Sequence, residues 1–189
     1  MKNLILCFLK KNKNERKKSI MKTLVILAHP DMENSRINKR WKEELEKYPD
    51  KITVNELYKN YPNWDIDIER EHELLLSHDN IIIQFPLYWY TYTKWLDDVL
   101  SYNWAYGNEY NLKGKNIGVA ISIGGFESDY SKTGSVKFSM DEILIHFKAT
   151  VEYVKANLIS HYFLFDTDNI SDEELSENAG NYANHIFSL

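Results

Sequence analysis

The sequence is poor in the residues that build disulfides, thiolate metal clusters and membrane spans. Its 189 residues include one cysteine, Cys7, which excludes an intrachain disulfide and a cluster of cysteine ligands. No run approaches the ~20 apolar residues of a membrane-spanning helix. Histidines at zinc-ligand spacing and a Gly-x-Ser-x-Gly elbow are also missing. We therefore expect no metal site, and a reducing cytoplasm as the natural location.

Basic residues are concentrated at the start of the chain. Residues 1–20 carry a net charge of +6 within a chain total of −5, which leaves −11 for residues 21–189. This acidic body argues against nucleic acid as the main partner, because a phosphate backbone demands a basic face. We interpret residues 1–20 as a disordered extension, or as a start-site artefact if translation begins at Met21. A peripheral anchor at the inner membrane face is the alternative.

Aromatic residues are abundant, and they concentrate in one stretch. Phe, Tyr and Trp make up 14% of the chain, and residues 84–95 read QFPLYWYTYTKW, in which half of the positions are aromatic. For any single ring the default role is core packing. The position of the stretch in the fold decides whether some of these rings form a binding surface.

From Met21 onward, strand patterns alternate with helix patterns. Continuous apolar runs predict buried parallel strands, and stripes with capping signals predict helices. The predicted strands are Thr23–Ala28, Lys51–Leu57, Asn80–Phe85, Asn116–Ser122 and Leu158–Phe165. Five helices are predicted. The first follows a Ser35 cap, the second covers residues 67–78, and the third contains Trp95. The last two follow the capping boxes Ser139/Glu142 and Ser171/Glu174. This pattern indicates one α/β domain over residues 21–189, a doubly wound parallel sheet for which the flavodoxin-like order 2-1-3-4-5 is a common choice.

In that order, loops 29–38, 86–90 and 122–128 meet in a crevice at the carboxyl ends of the strands. The first helical turn, roughly Ser35 to Asn38, offers free N–H groups to a phosphate, with side-chain donors from Ser35, Asn38 and His29. Gly124-Gly125 allows close approach of a flat ligand, and Trp89 and Tyr90 can supply aromatic walls. Each feature alone suits an ordinary cap, turn or core residue, but together they favour a phosphorylated planar ligand such as FMN.

The motifs LVILAHPDMENSRINKR, ELYKNYPNWDIDIERE, IIIQFPLYWYTYTKWLDDVL, WAYG, LKGK and ISIGG run in order over most of the chain. As a set they resemble the NAD(P)H:quinone oxidoreductases of the flavodoxin-like fold, to which DT-diaphorase is related. The bacterial branch of general stress protein 14-type enzymes and potassium-efflux ancillary oxidoreductases is most similar. The resemblance implies a homodimeric flavoprotein that takes hydride from NADH or NADPH and reduces a quinone by two electrons in ping-pong fashion.

The same resemblance implies roles for individual residues. Those that would hold the flavin are His29, Ser35, Arg36, Ile37, Asn38, Leu87, Tyr88, Trp89, Tyr90, Ser122, Ile123, Gly124 and Gly125. Trp104 and Tyr106 would roof the substrate pocket, commonly from the partner subunit, and Tyr130 is the candidate catalytic residue. Ile123 replaces a family threonine, which leaves only a backbone donor there. The histidine that follows Tyr130 in mammalian relatives has no counterpart, since Ser135 and Val136 occupy that region.

Two other functions stay open. The protein can be an ancillary regulatory subunit of a glutathione-gated potassium efflux transporter, or a flavodoxin-type electron carrier. The aromatic pair Trp104 and Tyr106 favours an enzyme, because a carrier needs an exposed flavin edge. We expect FMN as the cofactor, with FAD as the alternative, because few residues follow the last predicted helix. The acidic run at residues 65–73 is interpreted as a solvated helix start, and the resemblance places it beside the flavin site.

Overall fold

A computed structural model describes residues 21–88, 95–100, 104–105 and 110–189. The strands are β1 (Thr23–Leu27), β2 (Ile52–Glu56), β3 (Asn80–Pro86), β4 (Asn116–Ser122), β5 (Asn157–Leu158) and β6 (Tyr162–Leu164). The helices are α1 (Ile37–Leu45), α2 (Leu57–Asn60), α3 (Ile68–Ser77), α4 (Trp95–Val99), α5 (Met140–Ile143), α6 (Ile145–Tyr153) and α7 (Asp172–Phe187).

The strands form one parallel sheet in the order β2-β1-β3-β4-β5, and β6 also pairs with β4. The predicted flavodoxin-like order is therefore confirmed. The register sets Leu27 opposite Gln84, and Pro86 opposite Ser122. Because all the pairs are parallel, the carboxyl ends of β1, β3 and β4 lie side by side, and the loops that follow them meet at one edge.

Helices cover both faces of the sheet, as the apolar strands require. Val25 faces one layer, where Trp41 of α1 packs between Tyr162 and Tyr182, with ring centroids 5.6 Å and 4.9 Å away. Its neighbour Leu24 faces the other layer, which contains α3, α4 and α6. The alternation along β1 thus divides the core into two apolar layers around the sheet.

The fifth predicted strand is interrupted, contrary to the single run Leu158–Phe165. Its two pieces, β5 and β6, flank Ile159–His161. A Cβ placed on Gly118 of β4 would lie 2.9 Å from Ile159 Cγ1, so the missing side chain leaves room for Ile159. The Val119 N–H donates to His161 Nδ1 at 3.4 Å instead of to a strand carbonyl. A side chain therefore replaces a backbone partner at the break.

Helix ends match the capping signals in two places. Ser139 and Glu142 form a capping box at α5, and Ser171 and Glu174 form one at α7, so both predictions are confirmed. The helix after Ser139 is divided at Leu144, and α2 is an additional short helix that the pattern did not predict. Across the described ranges, no helix has the length and apolar character needed to cross a lipid bilayer.

Candidate functional site

A cavity of about 560 Å³ opens at the carboxyl edge of the sheet, where the predicted loops meet. Its walls are formed by His29, Asp31, Asn34, Ser35, Arg36, Ile37, Asn38, Pro86, Leu87, Tyr88, Ser122, Gly124, Thr167 and Asp168. Nine of the residues predicted to hold a flavin are in this set, and they come from three separate loops. The structure therefore brings together most of the predicted constellation in one cleft.

The start of α1 forms one wall, although its cap differs from the prediction. Ser35 does not cap the helix: Arg36 occupies the cap position with helical backbone angles and makes no side-chain cap bond. Ser35 is buried and lines the cavity. Because the first N–H groups of an α-helix have no partner within the helix, this end of α1 presents donors and a positive dipole to the cavity.

Arg36 adds a cation at the same helix start. Its guanidinium donates to the Asp172 carboxylate at 2.7 Å, and Asp172 is the first residue of α7. Both side chains are well exposed, so the ion pair contributes little to stability. The pair joins the starts of α1 and α7 beside the cavity, which limits the directions in which Arg36 can turn.

His29 lies just beyond β1 and is 8% exposed. Its Nδ1 accepts the backbone N–H of Asp31 at 3.1 Å, so the neutral ring carries its proton on Nε2. The ring meets Tyr88 edge-on, with centroids 6.3 Å apart. Burial lowers the pKa of His29 below its ordinary value of 6.5, and the Asp31 carboxylate opposes this only in part. His29 is thus a neutral donor at neutral pH.

The lowered pKa predicts a pH-dependent contribution to stability. We expect wild type to lose stability relative to His29→Gln as the pH falls below about 6.5, because the unfolded chain then binds the proton more readily than the folded one. At higher pH the imidazole is neutral in both states, and the difference should be constant. Urea unfolding of both proteins without flavin, from about pH 5 to about pH 8, measures this. A difference that does not change with pH would contradict the prediction.

Three buried polar side chains lie beneath the cavity. Gln84 Nε2 donates to Asn38 Oδ1 at 3.1 Å, and Asn38 Nδ2 donates to Ser122 Oγ at 2.9 Å. The Asn38 side chain, predicted to offer a donor to the ligand, therefore uses one of its two amide N–H groups on Ser122. Asn38 and Ser122 both line the cavity, whereas Gln84 lies behind them.

The loop after β4 is only partly open to the cavity. Gly124 lines the cavity wall, but Ile123 is fully buried and its N–H donates to Leu164 O at 2.8 Å. The expected backbone donor at Ile123 is therefore already used within the sheet. A Cβ placed on Gly125 would lie 3.3 Å from the Tyr130 hydroxyl, so Tyr130 packs directly on this glycine.

Tyr130 and Trp104 lie outside the cavity wall. Tyr130 packs against Phe165, with ring centroids 5.6 Å apart. Trp104 stacks on His72 of α3 with centroids 3.8 Å apart, and His72 Nε2 lies 2.9 Å from Val99 O. The remaining predicted residues, Trp89, Tyr90 and Tyr106, lie outside the described residues.

Thr167 and Asp168 form a fourth wall segment that the sequence analysis missed. Their loop is joined to the glycine loop, because Asp166 N donates to Gly125 O at 3.0 Å and Thr167 N donates to Ile123 O at 3.2 Å. The signal was available in their position: they follow the last parallel strand, whose carboxyl end lies at the same edge. Asp31, Asn34 and Pro86 also line the cavity and lie within the predicted loops 29–38 and 86–90.

The acidic run 65–73 is not uniformly solvated. Asp67 caps α3, as a helix start predicts, but Glu71 is fully buried. Its carboxylate accepts hydrogen bonds from four side chains at 2.7 to 3.0 Å, those of Asn55, Tyr61, Arg70 and Trp95. Burial and the bond to Glu71 raise the pKa of Tyr61 to about 12, which keeps its phenol a donor. Glu71 therefore connects α3 to β2 and α4.

The sheet order and this cavity define a flavodoxin-like protein. A family described as "Flavodoxin-like fold" matches residues 21–186, so the chain belongs to that family. It is 41% identical over 174 residues to the uncharacterized NAD(P)H oxidoreductase YdeQ of Bacillus subtilis, covering 89% of this chain and 88% of that protein. It is 40% identical to general stress protein 14 of the same organism, covering 88% and 97%.

A second group of relatives has a different name. The glutathione-regulated potassium-efflux system ancillary protein KefF of Enterobacter sp. is 32% identical over 169 residues, covering 86% of this chain and 94% of that protein.

Among solved structures, general stress protein 14 of Treponema denticola in complex with FMN superimposes with a TM-score of 0.84 at 37% identity, covering 88% of this chain and 98% of that one. An NADPH-quinone reductase of P. pentosaceus gives a TM-score of 0.80 at 27% identity, covering 88% and 98%.

Proposed function

We propose that this protein is an FMN-dependent oxidoreductase that takes hydride from NADH or NADPH and reduces a quinone by two electrons. One observation supports this most directly: residues from separate loops line a single cavity of about 560 Å³. They include donors suited to an anion at the start of α1 and Gly124, which allows a flat ligand to approach the backbone. Its relatives include named NAD(P)H oxidoreductases and a structure in complex with FMN.

The cavity has the donors and acceptors that a phosphorylated polyol needs. The start of α1, with Ser35, Arg36 and the Nε2–H of His29, provides donors for a phosphate. Asp31 and Asp168 place carboxylate oxygens in the same walls, where they can accept hydroxyl hydrogens. FMN carries both a phosphate and a hydroxylated ribityl chain, so the residues present fit it.

The other predicted residues receive roles from the family resemblance. We assign the ring-binding surface to Leu87–Tyr90 and to Ser122, Gly124 and Gly125, the substrate roof to Trp104 and Tyr106, and a proton-donating role to Tyr130. Tyr88 is 53% exposed at the mouth, where a planar ring can lie against it. When bound, FMN supplies the hydride-accepting and hydride-donating centre, and the chain's task is to hold and orient the reactants. In this scheme the active form is a homodimer.

Purification with flavin analysis tests the proposal. We expect a yellow protein that releases FMN, identified by mass, and oxidises NADH or NADPH rapidly when menadione is added. Initial rates at several concentrations of both substrates should give the parallel reciprocal plots of ping-pong kinetics. A colourless protein that takes up neither FMN nor FAD would overturn the proposal, and intersecting plots would overturn its ping-pong part.

The relatives named as potassium-efflux ancillary proteins support a second candidate function. KefF and KefG of Enterobacter sp. are each 32% identical to this chain over most of their lengths. An ancillary subunit would bind a potassium efflux transporter and raise its flux. Co-expression with such a transporter and measurement of potassium efflux distinguishes this role from that of a free-standing reductase.

A further inference from the structure

Gln84 is a polar residue in the middle of an otherwise apolar strand. It is fully buried in β3 between Ile83 and Phe85. Its Nε2 donates to Asn38 at two points, Oδ1 at 3.1 Å and the backbone oxygen at 3.3 Å. Its Oε1 has no hydrogen-bond partner among the residues that the structure describes. An apolar residue would avoid this desolvated oxygen, so stability alone does not explain a glutamine here.

The Gln84 amide affects the cavity through two hydrogen bonds in series, one from Gln84 to Asn38 and one from Asn38 to Ser122. Because Asn38 Oδ1 accepts from Gln84, the Asn38 amide group is turned toward Ser122 and donates to its Oγ at 2.9 Å. A serine hydroxyl has one hydrogen, and because its oxygen accepts from Asn38, it does not donate that hydrogen to Asn38. Among the described residues Ser122 Oγ donates to no other group, so its hydrogen is available for the cavity that Ser122 lines.

We propose that Gln84 is a positioning residue for cofactor binding, which fixes the direction of the Asn38–Ser122 hydrogen bond and so makes Ser122 a donor to the bound flavin nucleotide. Without Gln84, the Asn38 carboxamide can turn over. The Ser122 hydroxyl then donates to Asn38 Oδ1 and offers the ligand only lone pairs. This inference rests on the proposed function, because it takes FMN as the ligand.

The direct test is Gln84→Met, which keeps the length of the side chain and removes its amide. We expect FMN binding to the flavin-free protein, followed by fluorescence quenching, to weaken by about tenfold, the effect of one hydrogen bond to a ligand. The thermal midpoint of the flavin-free protein should stay the same or rise, because the unpaired Oε1 is gone. Ile82→Met, in the same strand and facing the same layer, is the packing control and should leave FMN affinity unchanged.

A double-mutant cycle separates positioning from a general effect on structure. Ser122→Ala should weaken FMN binding by about as much as Gln84→Met, and the double variant by no more than either alone, because both remove the same donor. The side-chain amide resonances of Asn38 should shift in Gln84→Met before any ligand is added. If Gln84→Met does not fold, Gln84→Leu serves instead, since it also removes the amide and leaves no polar atom to desolvate.

The outcomes distinguish the two proposals. If wild type binds FMN, but the Gln84 variants bind it equally tightly or the two substitutions add, the positioning role is wrong and the proposed function stands. If wild type binds no FMN, both fall. Non-additive losses together with an unchanged or raised thermal midpoint support the positioning role.

Discussion

Glu71→Ala is expected to destabilise the protein by about 3–5 kcal/mol, the loss typical when one partner of a buried charged network is removed. The carboxylate is fully buried in α3, and it accepts from Asn55 of β2 at 2.8 Å and from the Trp95 indole of α4 at 3.0 Å. Truncation leaves those donors without an acceptor in a place that water does not reach. The half-exposed Arg70 guanidinium can turn to solvent, so it adds less to the loss.

Urea unfolding at neutral pH, followed by circular dichroism, measures this change. Glu73→Ala is the matched control: it lies two residues further along α3, it is exposed, and its removal should change stability by less than about 0.5 kcal/mol. Glu71→Gln keeps the shape but turns one acceptor into a donor, so it should lie between the two. A loss below about 1 kcal/mol for Glu71→Ala would show that the network does not stabilise the fold.

Glu71 also shows where sequence reasoning ends. Its segment, DIDIEREHE, has the composition of a solvated helix start, and Asp67 does cap the helix as such a segment predicts. Periodicity cannot show that Tyr61, Asn55 and Trp95 converge on one carboxylate, because they come from separate elements whose packing sets the geometry. A buried acid can be identified only from a structure that shows which donors surround it.

The strand order and the cavity were more accessible to prediction. Apolar runs predicted the first four strands correctly, and in parallel sheets the ligand crevice follows from strand order. The predicted cap at Ser35 was wrong because a suitable residue type does not ensure a capping bond: Arg36 takes the cap position, and it makes no side-chain cap bond. The break at Ile159–His161 depends on space above Gly118, which a hydrophobic pattern does not report.

Ser35→Asp is expected to weaken FMN binding at least about a hundredfold, because a carboxylate at the start of α1 repels the phosphate. Two unit charges 4 Å apart interact by about 4 kcal/mol at an effective dielectric of 20, and a phosphate carries more than one charge. The same carboxylate interacts favourably with the helix dipole, which offsets the cost of placing a charge at this buried position, so the flavin-free protein should keep about the stability of wild type. The loss of FMN affinity should therefore not be accompanied by a comparable loss of stability.

Titration of the flavin-free variants with FMN and with riboflavin locates the effect on the phosphate. Riboflavin has no phosphate, so its affinity should be nearly the same in Ser35→Asp and wild type, while FMN affinity falls.

Ser35→Ala should weaken FMN binding by only about tenfold, through loss of one donor. Asn181→Asp adds the same charge at an exposed site on α7 and controls for net charge. Added salt should reduce the Ser35→Asp effect, because ions screen charges at an open cleft. If riboflavin and FMN lost affinity equally, the phosphate would not bind at this end of α1. The orientation of the ligand, on which the other site assignments depend, would then be wrong as well.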